Sequence, residues 1–516
     1  MDSNKIKAII IGALAAFGAL YLGIAAATAQ LEAVAWIVGG LILTVCLALG
    51  RRIWLLLPLM TGISLVLPLP GSFTTLFLTQ LLVIGFCSML FLMRRLPIKL
   101  VFTELEIWCL LFILCVVQVY LRNPVSLGIF GGDMIGGKPY ALLAVNFVTA
   151  AILSVLLVAP GDLKWWVRLT LIGAIGNFGI GAVGKLVPSI GYYLGASFST
   201  DVEQEVETRE GRATRVSFVR GISKTLAYWI SSRISPLAAC FSPFYAPLLL
   251  ISLAAAAISG FRSQIGFVLL IYFVGTCYRG GLRSVLVSCF LGTALIVLLA
   301  FVNGLAPLPA NIQRSLTFLP GTWDEQHKLD TTGSTEWRVE MWKEALFTDK
   351  WIKNKWLGDG LGLSKAEYQI TLAINAGDRT ETSTSGLSAG QENMMINGGY
   401  HSGPVQTVRT VGYLGLAVLL FGFVKMSIHA HRQIQRSKGT EWHATTLFIC
   451  IPLIAGPVSW VFIYGSFDGG AGLLAMGCAM IRMLEKNLPL PAWAPPSRIP
   501  YLLNPHHLRT PNRETV

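Results

Sequence analysis

Along the chain, apolar residues fall in long uninterrupted runs that polar residues separate rather than alternate with. Such runs occupy 8–28, 32–50, 53–69, 74–93, 101–121, 141–159, 169–187, 225–241, 244–259, 264–278, 284–302, 411–428, 444–464 and 469–484. A straight helix needs nearly 20 residues to cross about 30 Å of hydrocarbon, and somewhat fewer where the bilayer adapts. The pattern therefore predicts an all-α polytopic membrane protein with about 14 transmembrane helices. The weakest runs are 225–241 and 244–259, joined by Ser242-Pro243-Phe244, which would also fit a single re-entrant element. The first run, with Lys5 and Lys7 ahead of it and Ala27-Thr28-Ala29 behind, has a second reading as a signal peptide, although its apolar stretch is longer than a typical h-region.

Four regions follow. Residues 1–302 form a transmembrane bundle with an outer loop at about 188–224; 303–410 form a large outer loop; 411–484 return to the membrane; 485–516 form a cytoplasmic tail. The large loop is too broken by Gly and Pro to be an independent enzyme domain, so it is expected to work against the membrane face.

Composition agrees. Of 516 residues, 54% are hydrophobic and only 13% charged, against roughly 25% charged in a soluble protein. The net charge of +13 suggests nucleic-acid binding until the cations are sorted by side. With the N-terminus in the cytoplasm, 20 of the 40 Lys and Arg residues lie inside, among them Arg51, Arg52, Arg94, Arg95, Arg432 and Arg436, against five of the 27 acids. The inside then carries +15 and the rest of the chain −2, the asymmetry of the positive-inside rule. Moving Glu104 and Glu106 inside would leave +13 there. The charge is a membrane address, and no nucleic-acid partner is expected. All nine cysteines fall in predicted spans and read as apolar packing residues, with neither a disulfide framework nor a metal cluster.

The chemistry is expected on the outer side. Of seven histidines, only His327 and His401 face outward, and His401 sits where the large loop returns to the membrane. Histidine accepts a proton near neutrality. Within the loop, Ser334 or Thr335 can cap a helix that places Arg338 and Trp342 on one face. A glycine turn follows at Trp356-Leu357-Gly358-Asp359-Gly360-Leu361-Gly362, then a Ser/Thr/Gly-rich stretch at 379–391 expected to be mobile, then Gly398-Gly399-Tyr400-His401-Ser402-Gly403-Pro404. Arg262 and either Arg215 or Arg220 lie on the same outer face as permanent cations with bidentate forks. Arg262 has a second reading as an interfacial anchor, and Arg215 and Arg220 a second reading as partners of the acids at 201–210. Arg233 falls inside a predicted span. Gly132 to Lys138 mimics a P-loop, but Pro139 replaces the required Ser or Thr and the segment lies outside, so no nucleotide site is expected.

Arg338 followed by Trp342, then Leu357-Gly358-Asp359-Gly360, His401, and Gly412-Tyr413-Leu414-Gly415 resemble the pattern of the O-antigen ligase and polysaccharide polymerase family. Ser259-Gly260-Phe261-Arg262-Ser263 stands where that family has an Arg at the outer start of a span. The resemblance covers about 210–425; Ser402 replaces the usual Asn and Thr410 stands near the usual Glu. It implies a metal-independent, cofactor-free glycosyltransferase of cell-envelope polysaccharide or lipopolysaccharide synthesis. Such an enzyme moves a glycan from a polyprenyl (undecaprenyl) diphosphate carrier to a hydroxyl on a glycan, lipid or protein acceptor. It acts in the bacterial cytoplasmic (inner) membrane, on the periplasmic face. His401 would be the base, and Arg262, Arg215, Arg220 and Arg338 would bind the substrate. The alternative is a polytopic transporter or lipid-linked glycan flippase, which fourteen spans and outer arginines also suit. A flippase would group its polar residues near the bilayer midplane.

Overall fold

The structure, a computed structural model, describes residues 40, 44–63, 65–66, 73–100, 102–125, 137–187, 216–363, 365–375, 387 and 389–489. The first predicted span, most of the second, most of the 188–224 loop, the P-loop mimic up to Gly136, most of 379–391 and the tail from 490 lie outside the described residues. Contacts divide the chain into two units, one of residues 1–54 with 85–96 and one of 55–84 with 97–516. In the smaller unit, Arg94 turns left-handed after the helix and its N–H donates to Phe91 O at 2.8 Å, closing the helical end.

All regular structure among the described residues is helical, apart from two isolated bridges. Among the described residues, nine helices are long and apolar enough to cross a bilayer: α1 Thr44–Gly62, α2 Thr75–Leu92, α3 Glu104–Arg122, α4 Gly137–Val155, α5 Pro160–Leu186, α9 Gly281–Leu305, α14 Gly403–Ser437, α15 His443–Phe462 and α16 Phe467–Asn487. Between them lie α6 Val219–Arg233, α7 Tyr245–Ile258, α8 Arg262–Arg279, α10 Ala310–Leu316, α11 Glu325–Phe347, α12 Lys365–Asn375 and α13 Ala389–Ile396. The chain has the architecture of a multi-pass membrane protein.

Local chemistry sets the helix ends. Thr103 and Glu106 form a capping box at the start of α3, Pro160 occupies the first position of α5, and the Ser466 side chain accepts the Gly469 N–H at the start of α16. Inside α15, Pro457 has no N–H to give the Leu453 carbonyl four residues back. Ser427 of α14 donates to that carbonyl instead, at 3.1 Å, which removes an orphaned acceptor from the helical bundle.

The predicted 225–241 span is not one helix. α6 starts at Val219 and stops at Arg233, because Ser235-Pro236 cannot continue it. Arg233 is therefore an exposed residue at a helix end rather than within a continuous helix over 225–241. Glu104 accepts from Lys425 at 3.0 Å and lies 2.7 Å from His429, while Glu106 accepts from Arg482 at 3.0 Å and Arg482 also pairs with Glu485. Both glutamates thus belong with the cations at that end of the bundle.

The predicted loop 303–410 is largely helical. Its main helix α11 begins ten residues before Thr335, because the Asp324 carboxylate accepts the N–H groups of Gln326 (2.9 Å) and His327 (3.3 Å) and makes a stronger cap than Ser334 or Thr335. Met341, Ala345, Ile352, Met395, Tyr400, Val405 and Val408 form one buried cluster, flanked by Trp337, Trp342 and Trp351. The cluster fastens this segment to the first turns of α14.

That helix starts at Gly403 rather than 411 and is broken at Gly412, where φ is 73° and ψ −178°. The glycine turn after α11 fills the break. Asp359 and Gly360 donate to the carbonyls of Arg409 (2.6 Å) and Thr410 (3.1 Å), while Tyr413 and Leu414 donate to those of Lys355 (2.8 Å) and Trp356 (3.3 Å). Four backbone groups that the helix would have paired within itself are paired by the turn.

Candidate functional site

His401 lies on the two-residue link between Tyr400 and the start of α14. Its φ of 52° is left-handed, a conformation that costs a non-glycine residue about 1–3 kcal/mol and persists only where neighbours enforce it. They do so here. The preceding Tyr400 is fully buried, and its carbonyl accepts the Trp342 indole N–H at 2.7 Å. The Tyr400 N–H donates to Gly398 O at 2.9 Å. Arg338 and Trp342 are one turn apart on α11, so the same helix that holds the His401 backbone also delivers Arg338.

The His401 ring lies 5.8 Å, centroid to centroid, from the ring of Tyr464 at the far end of α15. Tyr464 in turn stands beside Arg338. Arg262, the first residue of α8, reaches the Thr335 hydroxyl at 3.5 Å. Burial, then the neighbouring guanidinium groups of Arg338 and Arg314, hold the Arg262 guanidinium below the usual arginine range. Burial also lowers that of Arg338. Three guanidinium groups from α8, α10 and α11 are thus drawn together, and like charges so placed favour an anion between them.

A cleft of about 360 Å³ adjoins this cluster, lined among others by Arg220, Lys224, Gln264, Trp460, Tyr464 and Ser466. Arg220 projects its guanidinium over the Phe261 ring at 4.7 Å. Lys224, one residue ahead of the predicted 225–241 span, is half-buried, and burial together with Arg220 pushes its ammonium down to about 8. Tyr464 belongs both to this cleft and to the His401 cluster.

Of the sequence-predicted residues, His401, Arg262, Arg338 and Arg220 come together on one side of the bundle, and Arg215 lies outside the described residues. His327 is buried in the first turn of α11. Lys138 lies 5.7 Å from the Phe73 ring. Sequence reading missed Arg314, Lys224 and Tyr464 as neighbours of the site. Arg314 and Lys224 were outward cations among many, and a tyrosine at a span end is ordinary in an interfacial belt. Among the described residues, no group of three or more His, Cys, Asp or Glu side chains is placed to hold a metal ion.

The arrangement offers a ring nitrogen to take a proton and a cationic wall to hold a multiply charged anion. No family model matches the chain, and no curated protein matches it.

Proposed function

We propose that the chain is a polytopic glycosyltransferase, of O-antigen ligase or surface-polysaccharide polymerase type. It transfers a glycan from a polyprenyl diphosphate carrier to an acceptor hydroxyl on the outer face of a bacterial cytoplasmic membrane, with about fourteen spans and the N-terminus inside. The observation that carries this reading is the gathering of Arg262, Arg338 and Arg314 beside Tyr464 and His401. The acceptor oxygen attacks the anomeric carbon as His401 takes its proton. The sugar–phosphate bond breaks, and the diphosphate departs with the electron pair. Arginine forks suit that leaving group because charge develops on its oxygens. Ligase and polymerase differ only in the acceptor presented to the same base, and the reading covers both.

A flippase would need its ionisable groups near the middle of the spans. The ion pairs joining α3, α14 and α16 instead involve the first turn of α3 and the last two turns of α16, which favours the transferase reading. The test is glycan transfer by the full chain in reconstituted vesicles, from a polyprenyl diphosphate donor and with excess EDTA present. Transfer that survives chelation is the expected result. Donor moved across the bilayer with no glycan transferred would support the flippase instead, and transfer restored only by added magnesium or manganese would remove the arginine-only account.

A further inference from the structure

A second site lies along α3 and at its end, with none of the His401 neighbours among its lining residues. Here α3 and α4 run side by side and leave an apolar groove of about 440 Å³, lined by Ile113, Val116, Val117 and Tyr120 of α3 and by Ala144 and Phe147 among others of α4. On α3 these positions follow i, i+3, i+4, i+7 spacing, one face of the helix. Ala144 and Val148 are exposed along the groove, as a surface facing hydrocarbon would be.

Beyond Tyr120, the end of α3 lines a separate polar cleft, also of about 440 Å³, with Arg122, Asn123, Trp351, Lys353, Asp359 and Arg409 among others around it. Tyr120 and Tyr140 mark the boundary, their rings 5.1 Å apart edge to face. The Tyr140 hydroxyl accepts the Leu361 N–H at 3.1 Å, and the Tyr120 hydroxyl donates to Val125 O. An apolar groove on the flank of α3 and α4, with a cationic cleft beginning two residues further along α3, suits an amphiphile with its chain along the helices and its head above them.

The charges select the head. Arg122, Lys353 and Arg409 line the cleft together with Asp359 and Glu367, a net charge of one positive unit. The Asp359 carboxylate is turned onto the N–H groups of Lys353 (2.7 Å) and Asn354 (3.0 Å). A single phosphodiester charge balances this cleft. A diphosphate would be better met by the arginine cluster beside His401.

We propose that this groove and cleft form a binding site for one anionic phospholipid of the bilayer, its acyl chain along α3 and α4 and its phosphate among Arg122, Lys353 and Arg409. Arg122 already donates to Leu357 O (2.9 Å) and Gly358 O (2.7 Å), so a lipid seated here fastens the glycine turn, and with it the break in α14, to the end of α3. The inference does not rest on glycan transfer.

The experiment uses the full chain in detergent, with phosphatidylglycerol added at low ratio and retained lipid counted by native mass spectrometry. The expected result is one phosphatidylglycerol held in preference to phosphatidylcholine. Two variants at exposed positions probe head and tail separately. Lys353→Glu reverses a cation at the head, and Ala144→Trp fills the groove without changing charge. Each should lower retention at least about fivefold, the scale of one cation near an anionic head, while Lys328→Glu, exposed and elsewhere, should not. Equal retention of the two lipids, or retention indifferent to both variants, would overturn the proposal. Glycerol phosphate held as well as the intact lipid would do the same, since it would reduce the cleft to an anion site without a tail.

Discussion

Gly358 and Gly412 meet backbone to backbone. A Cβ on Gly358 would overlap the chain at Thr410 and Val411, and one on Gly412 would overlap the chain at Trp356 and Leu357. Both residues have positive φ, 80° and 73°, and the four backbone hydrogen bonds that splice the turn into α14 surround them. The splice sets the distance from the helix carrying Arg338 to the start of the helix that follows His401.

Alanine at either glycine combines left-handed strain with an overlap that no side-chain rotation relieves. Gly412→Ala and Gly358→Ala should each destabilise the protein by about 3 kcal/mol or more, read as lost thermal stability in detergent. Gly390→Ala, where nothing lies within 4 Å of the added carbon, should be neutral or slightly stabilising. Equal melting of all three variants would mean that the splice is not a fixed part of the fold.

Asparagine tolerates the left-handed region better than most residues but offers no base. His401→Asn should therefore insert and melt like the parent protein while transferring glycan at least about 100-fold more slowly. Near-parental turnover would remove His401 from the mechanism.

Arg262 separates catalysis from anchoring. Lysine at this position can still reach head groups, but its ammonium cannot reproduce the two-pronged contact of a guanidinium with phosphate oxygens. Arg262→Lys should accumulate normally and transfer at least about tenfold more slowly, roughly 1.4 kcal/mol of lost transition-state stabilisation. Unchanged turnover at saturating donor would assign Arg262 to the membrane interface.

Lys224 gives the site a pH dependence of its own. With its pKa depressed to about 8 by burial and Arg220, the ammonium is charged at pH 7 and discharges as pH rises through 8. If it helps to hold the diphosphate, KM for the donor should rise between pH 7 and 9, and Lys224→Arg, which stays charged, should flatten that rise. An identical KM profile in both proteins would exclude Lys224 from donor binding.

The ion pairs at the other end of the bundle are structural in their burial. The Arg482 side chain is 4% exposed and pairs with both Glu106 and Glu485. Arg482→Met would leave two carboxylates facing one another without their cation, a loss of about 3–5 kcal/mol. Thermal unfolding of the purified variant checks it, and a melting temperature within a degree or two of the parent would show that the cluster contributes nothing to stability.

The sequence by itself determined the all-helical, membrane-spanning class, because the length of an apolar run is fixed by bilayer thickness and is read directly from consecutive residues. It also marked His401, Arg338, Trp342 and the glycine turn, since each is conspicuous where it stands: a histidine at a loop end, an i, i+4 pair, a cluster of glycines. It misplaced the start of α11 and the ends of α6 and α14, because caps and breaks depend on which side chain reaches a backbone N–H and on whether another segment can replace lost helical bonds. Only the tertiary structure decided that Gly358 answers Gly412, although both motifs were visible: a glycine's sequence context does not say what presses against it. Likewise only packing brought Arg314, Tyr464 and Lys224 to His401 and Arg262, from helices far apart in the chain, since the energy of like charges drawn together is a property of their separation in space and leaves no mark on the order of residues.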